Sequence, residues 1–217
     1  MSDKIYILGA GGMAREVHQI FKSLGLGAVV EGFLVNEDGI DKKGHLKGKR
    51  IHNIKEVHLN EDILINGIGT PLREKWIKEL ERGKYKFTSA IHPSAILGDE
   101  LVLGKDLIIG AQTSLTCDIA VGDHVIINAK CSIHHDCIIE DYVTISPGVS
   151  MGGRSKIGKG TFIGIGSSII QDVTIGAGSI IGAGSVVITD IPSGVLAYGN
   201  PAKVIRELKE NDWKELL

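Results

Sequence analysis

Every sixth residue from Ile91 to Val187 is apolar, seventeen positions in succession. With 43% of the chain hydrophobic, chance gives such a run with a probability on the order of 10⁻⁶, so the period is a structural repeat. The residue after each apolar position is often glycine, as at Gly98, Gly104 and Gly110. The fifth residue of each unit is small or β-branched in most repeats, as at Val125, Cys131, Val143 and Thr161. A six-residue unit cannot bury an apolar face alone, so successive units must stack. The pattern predicts a parallel β-helix in which the first and fifth positions point inward. Three units make a coil of 18 residues, and the run gives nearly six coils with no inserted loop.

Residues 1–88 follow a different pattern. "KIYILGAGGMAREVHQIF" reads as an apolar strand, a glycine-rich turn and an amphipathic helix, with Val17, Ile20, Phe21 and Leu24 on one face. The turn, Gly9-x-Gly11-x-x-Ala14, matches the fingerprint that lets a phosphate approach the backbone at a helix N-terminus. It also serves as a tight strand-to-helix turn with no ligand. "AVVEGFLVN" and "DILINGIGT" read as further strands, and "PLREKWIKELERG" as a charged helix. This is β-α-β organisation, too short for a two-halved dinucleotide domain and suited to one nucleotide. NAD is the rival ligand, with Glu31 placed to meet a ribose, but no hydride-transfer domain follows. The expected organisation is a Rossmann-like domain at 1–88, the β-helix at 89–192 and a C-terminal loop and capping helix at 193–217, the helix spanning 202–215.

The formal net charge of −2 gives no basis for binding nucleic acid or an anionic membrane. Three cysteines, with no CxxC, argue for a reducing compartment, and the N-terminus lacks the features of a signal peptide. No run approaches the ~20 apolar residues of a membrane span. The chain reads as cytoplasmic.

One stretch of the repeat, "NAKCSIHHDCIIED", carries chemistry. His134 and His135 occupy the second and third positions of their unit, and both can face solvent. A histidine beside a carboxylate, here Asp136, suits a general base whose imidazolium the carboxylate stabilises. The 18-residue period places Cys117 one coil before His135 and Gly153 one coil after, about 4.8 Å apart per coil. That favours His135, with a glycine shelf giving a substrate room. It also stacks Arg154 over Asp136 as an expected ion pair. Either histidine can instead be a solvated corner. Cys117 raises the alternative of a Cys–His acyl-enzyme; Cys131 and Cys137 fall at inward positions. A zinc site of the β-helix carbonic-anhydrase type is a further alternative, but the spacing of His92, His124, His134 and His135 does not suit it. No metal is expected. A non-catalytic nucleotide-sugar binder is the last. Lys203 and Arg206 in the tail are either contacts to phosphates or a solvated basic face.

The order of these parts, with "SAIHPSAILG" as a bridge and "GNPAKVI" near the end, resembles the nucleotide-sugar N-acetyltransferases of the bacillosamine type and the sialic-acid O-acetyltransferases, end to end. The resemblance implies a left-handed β-helix, a homotrimer, and acetyl-CoA bound in the groove between neighbouring β-helices. It makes His135 the general base, with Asn128 and Asp136 completing an Asn-x6-His-acid pattern. It assigns Gly12, Met13, Ala14, Asn36 and Gly69 to the nucleotide sugar, together with Asn128. It assigns Thr144, Gly153, Ile165 and Ala183 to acetyl-CoA. Thr144 stands where relatives have a second histidine, and Val35 and Asn36 stand where they have acidic residues. The activity implied is acetyl transfer to a nucleotide-linked 4-amino-4,6-dideoxy sugar, UDP-linked being favoured. O-acetylation of a sialic-acid-like sugar is the alternative.

Overall fold

The computed structural model describes residues 4–36, 44–56, 62–83, 85–209 and 211–215. The chain divides into two compact units, Met1–Gly69 with Arg73–Pro93, and Thr70–Leu72 with Ser94–Leu217.

The first unit is a twisted sheet with helices. Its elements are β1 (Ile5–Leu8), α1 (Gly12–Ser23), β2 (Val30–Val35), β3 (His45–Leu46), β4 (Lys49–Asn53), β5 (Ile63–Asn66), α2 (Arg73–Arg82) and β6 (Lys86–Phe87). The strand order is β3-β4-β2-β1-β5-β6. Neighbours run parallel except in the β3–β4 hairpin. Ile7 and Leu8 of the central β1 are fully buried, as a parallel strand covered on both faces requires. α1 buries Val17, Ile20 and Phe21 of the face its spacing predicts, whereas Leu24, just past its end, is exposed. The expected strands and helices are present. The hairpin and β6 are additions, too short and polar to stand out in the sequence.

The second unit is a parallel β-helix of two-residue strands. Pairing registers advance by 18: Ser114 pairs with Ser132, Ser132 with Ser150, and Ser150 with Ser168. From Ile109 to Val187 every first-position residue is at most 3% exposed. Leu97 is 38% exposed, because the first coil has a neighbouring coil on one side only. Fifth-position residues such as Val125, Cys131 and Val143 are also buried. The fourth position, silent in the sequence pattern, is the corner. Asp118, Asp136, Arg154 and Asp172 all have φ between 55° and 63°, and glycine takes the same place at Gly160 and Gly178. Left-handed backbone there turns the chain from one face to the next.

The tail departs from the expected helix over 202–215. Residues Ala202–Glu207 are a strand, paired antiparallel with Val195–Gly199, and only Asp212–Glu215 (α3) is helical. The strand Val195–Gly199 itself extends the sheet beyond Ile180–Ile181. An open sheet edge offers backbone partners to β-branched Val204 and Ile205, which outweighs the helical spacing of the apolar residues. Among the described residues no helix is long and apolar enough to cross a membrane.

Arg206 closes this end with a forked ion pair to Asp212 (2.6 and 2.8 Å). Arg206, helped by the Lys209 backbone N–H, holds the Asp212 carboxyl down at about 2. The unfolded value is near 3.9, so the pair supports the fold above that pH and the support fades as pH falls toward 2. Thermal melts between pH 5 and 2 should fall more steeply for the native chain than for Arg206→Gln. Ile145→Ala, emptying a fully buried inward position, should cost about 2–5 kcal/mol in urea unfolding.

Candidate active site

In the first unit the loop after β1 faces the loop after β5. A Cβ on Gly67 would lie 2.5 Å from the Leu8 carbonyl oxygen and 2.9 Å from the Ala14 Cα, so only glycine permits this approach. The Asn66 side chain shapes the second loop, accepting from the Ile68 N–H (2.9 Å) and donating to its carbonyl (3.2 Å). A Cβ on Gly69 would come within 3.6 Å of the Met13 Cβ. The crevice lies at the carboxyl ends of β1 and β5, where the strand order reverses, the place where open α/β sheets hold ligands. Gly12, Met13 and Gly69 are accessible there, and Asn36 is exposed just past β2. Ala14 is fully buried. Its small side chain admits the Gly67 loop rather than facing solvent.

In the second unit, His135 Nδ1 lies 2.7 Å from Asp136 Oδ2, and both side chains are about half exposed. Adjacent residues meet because Asp136 sits on the left-handed corner (φ 60°), which turns its carboxylate back toward the ring. The carboxylate can only accept, so Nδ1 carries the proton and Nε2 presents its lone pair. Gly153 is not an open shelf. A Cβ there would lie 2.5–3.0 Å from three imidazole atoms, so the ring itself fills the space over the glycine. The expected Arg154–Asp136 pair is also replaced. Arg154 forks onto Asp172 one coil on (2.7 and 2.8 Å) and holds that carboxyl below its ordinary value. The 18-residue period allowed either partner; the bidentate fork selects Asp172, leaving Asp136 to the histidine.

His134 is exposed and lies 3.3 Å from the Ser132 hydroxyl. A hydrogen bond to Asp118 pushes the Cys117 thiol above its ordinary value, which disfavours the thiolate an acyl-enzyme needs. Cys131 and Cys137 are buried, and burial pushes the Cys131 thiol up to about 11. Among the described residues no three His, Cys, Asp or Glu side chains gather as a metal site. His124 is buried against Asp106, 2.8 Å away.

The residues assigned to acetyl-CoA separate by corner. Gly153 lies under His135. Ile165 (61% exposed) and Ala183 are on the preceding corner, in an apolar cleft of about 440 Å³ that also contains Phe162, Leu196 and Tyr198. Thr144 is 2% exposed, so its hydroxyl is closed off in the single chain. Asn128 is 8% exposed and its amide donates to the Ile145 carbonyl (2.8 Å), bracing the next coil. The strand Val195–Gly199, in a stretch expected to be loop, supplies Leu196 and Tyr198.

Residues 154–189 match the bacterial transferase hexapeptide family (six repeats). No curated protein sequence matches the chain at a significant level. Among solved structures, a histidine-to-asparagine variant of perosamine N-acetyltransferase from Caulobacter crescentus, in complex with CoA and GDP-perosamine, is 29% identical. The match covers 95% of this chain and 99% of that one, with a TM-score of 0.86. The acetyltransferase domain of PglB from Neisseria gonorrhoeae, in complex with acetyl coenzyme A, is 26% identical over 94% of this chain and 100% of its own, with a TM-score of 0.83. WeeI from Acinetobacter baumannii is 26% identical with the same coverage and a TM-score of 0.86. The chain is therefore an acetyltransferase that carries hexapeptide repeats, with a left-handed β-helix and a Rossmann-like α/β unit, and is similar along its length to nucleotide-sugar N-acetyltransferases.

Proposed function

We propose that the protein transfers an acetyl group from acetyl-CoA to the amine of a nucleotide-linked amino sugar, with His135 as general base. The observation that carries this reading is the His135–Asp136 pair, with Nε2 free, on a chain similar end to end to an enzyme holding CoA and GDP-perosamine. Nε2 takes a proton from the sugar amine as its nitrogen attacks the thioester carbonyl. Asp136 stabilises the imidazolium that forms. The tetrahedral intermediate expels the CoA thiolate, which takes that proton back from His135. An amine is nucleophilic enough for direct transfer, so no covalent enzyme intermediate is required.

His135 with Gly153, and the Ile165–Ala183 cleft, lie on different corners of the β-helix. We infer a homotrimer in which the groove between adjacent β-helices brings a corner of each kind to one acetyl-CoA. The nucleotide sugar is placed at the Gly12–Met13–Gly69 crevice. UDP is the nucleotide expected from the sequence, and GDP joins it because the relative binds GDP-perosamine.

The test is acetyl-CoA turnover against UDP-, dTDP- and GDP-linked 4-amino sugars, with CMP-sialic acid as the O-acetylation arm. No turnover with any amino sugar overturns the reading. Sedimentation should give three times the 23.2 kDa chain mass. His135→Ala should lower kcat by about 10²–10⁴-fold, the usual scale for a general base. Gly153→Ala should displace the imidazole, lowering kcat with little change in melting temperature, because the crowded atoms belong to a side chain that can swing away.

A further inference from the structure

A second cleft lies between α1 and the β3–β4 hairpin. Two adjoining hollows of about 360 and 380 Å³ share His18, Lys22 and Lys47. Arg15 joins on one side and Lys49 on the other, and Gly12 stands at one end. Arg15, Lys22, Lys47 and Lys49 make no ion pair with any described residue. Among the described residues Glu16 is the one carboxylate in the lining. Cations gathered along one cleft repel one another, and an anion between them relieves that repulsion.

His18 is an independent pointer to a ligand. It is 5% exposed, lies edge-on to Phe33 (5.9 Å between centroids) and lines both hollows. It makes no hydrogen bond to a described residue. Burial first, and then Lys49, Lys22 and Lys47, push its imidazole below the ordinary value. Both hollows reach its ring, so a ligand lying in the cleft can hydrogen-bond to it. Lys47 adds to the cationic character from a strained place. With Gly48 it forms the left-handed turn of the hairpin (φ 50° and 76°), where asparagine or glycine is the usual choice.

We propose that this cleft binds the phosphates of a nucleoside diphosphate, with Arg15, Lys22, Lys47 and Lys49 as its cationic contacts and His18 as a hydrogen-bonding partner. Among the described residues, four cations against one carboxylate suit a ligand of two or three negative charges better than a single carboxylate. Two sources share that chemistry, the diphosphate of a nucleotide-linked sugar and a free nucleotide or phosphate. Gly12 belongs both to this cleft and to the loop after β1, which favours the substrate's own diphosphate. To that extent the assignment rests on the proposed function, and it makes these cations determinants of substrate affinity.

Calorimetry with UDP, GDP and inorganic diphosphate tests it on the intact protein. A nucleoside diphosphate should bind, with inorganic diphosphate competing. Affinity should drop about 10-fold in Lys47→Ala/Lys49→Ala, as loss of charge-assisted contacts implies. The dependence on salt should also weaken. Lys47→Arg/Lys49→Arg should restore affinity, which a merely structural role for the turn would not predict. In NMR titrations the His18 imidazole should move to higher pKa when diphosphate is bound. In turnover the alanine pair should raise KM for the nucleotide sugar with kcat held. Equal nucleoside diphosphate affinity in native and alanine proteins overturns the proposal, as does binding that inorganic diphosphate fails to displace. The two readings fail separately. Acetyl transfer with KM unmoved by the alanine pair removes the cleft and keeps the activity. Lysine-dependent binding of UDP or GDP without acetyl transfer to any amino sugar does the reverse.

Discussion

The backbone ladder between coils is the interaction on which the rest of the second unit depends. Along the strands an N–H donates to a carbonyl seventeen residues ahead, as from Ser114 to Cys131 and from His134 to Met151. At the corners it donates nineteen residues back, as from Arg154 to His135 and from Asp172 to Gly153. Each coil thus satisfies its polar backbone on its neighbours, and the inward column of Ile133, Met151 and Ile169 fills the interior. Two-residue strands would be negligible alone. Stacked in register, they make a rigid rod.

That rigidity explains how the His135–Asp136 pair is held. The His135 carbonyl and the Asp136 N–H are both in the ladder, so their backbones are fixed before any substrate arrives. Only the two side chains remain to be oriented. Gly153 supports the ring from the next coil, and Arg154 is kept away from Asp136 by its fork to Asp172. Pre-set geometry of this kind lowers the reorganisation that a proton transfer must otherwise supply.

The repeat was legible because burial at the first and fifth positions is a one-dimensional pattern, and the strand-turn-helix of α1 was legible for the same reason. What the sequence left open was set by directions in space. Arg154 could reach Asp136 or Asp172 by period alone, and only side-chain geometry chose. Gly153 looked like room for a substrate, whereas the imidazole lies over it. Thr144 and Asn128 were placed at the site by resemblance but are closed into the coil, since an outward position in one chain can still be covered. The strand Ala202–Glu207 was concealed because Val204 and Leu208 have helical spacing, and the open sheet edge that captures it is a property of the folded chain. The Lys47–Lys49 hairpin was missed because a strand of five polar-rich residues leaves no periodic trace.

The left-handed corner has a consequence for how such a site changes over time. Because the hexapeptides turn at their fourth residue from Glu100 to Gly184, azimuth around the rod is set by position modulo 18 and height by the coil number. A side chain can change height only in whole coils, about 4.8 Å at a time, unless it also changes face. The vertical offset between the His135 corner and the Ile165–Ala183 cleft is therefore quantised. Duplication or loss of an entire coil outside this span would lengthen or shorten the rod and leave the offset untouched. A single inserted residue within it would rotate everything beyond by a sixth of a face and move the His135 corner out of line with the Ile165–Ala183 cleft.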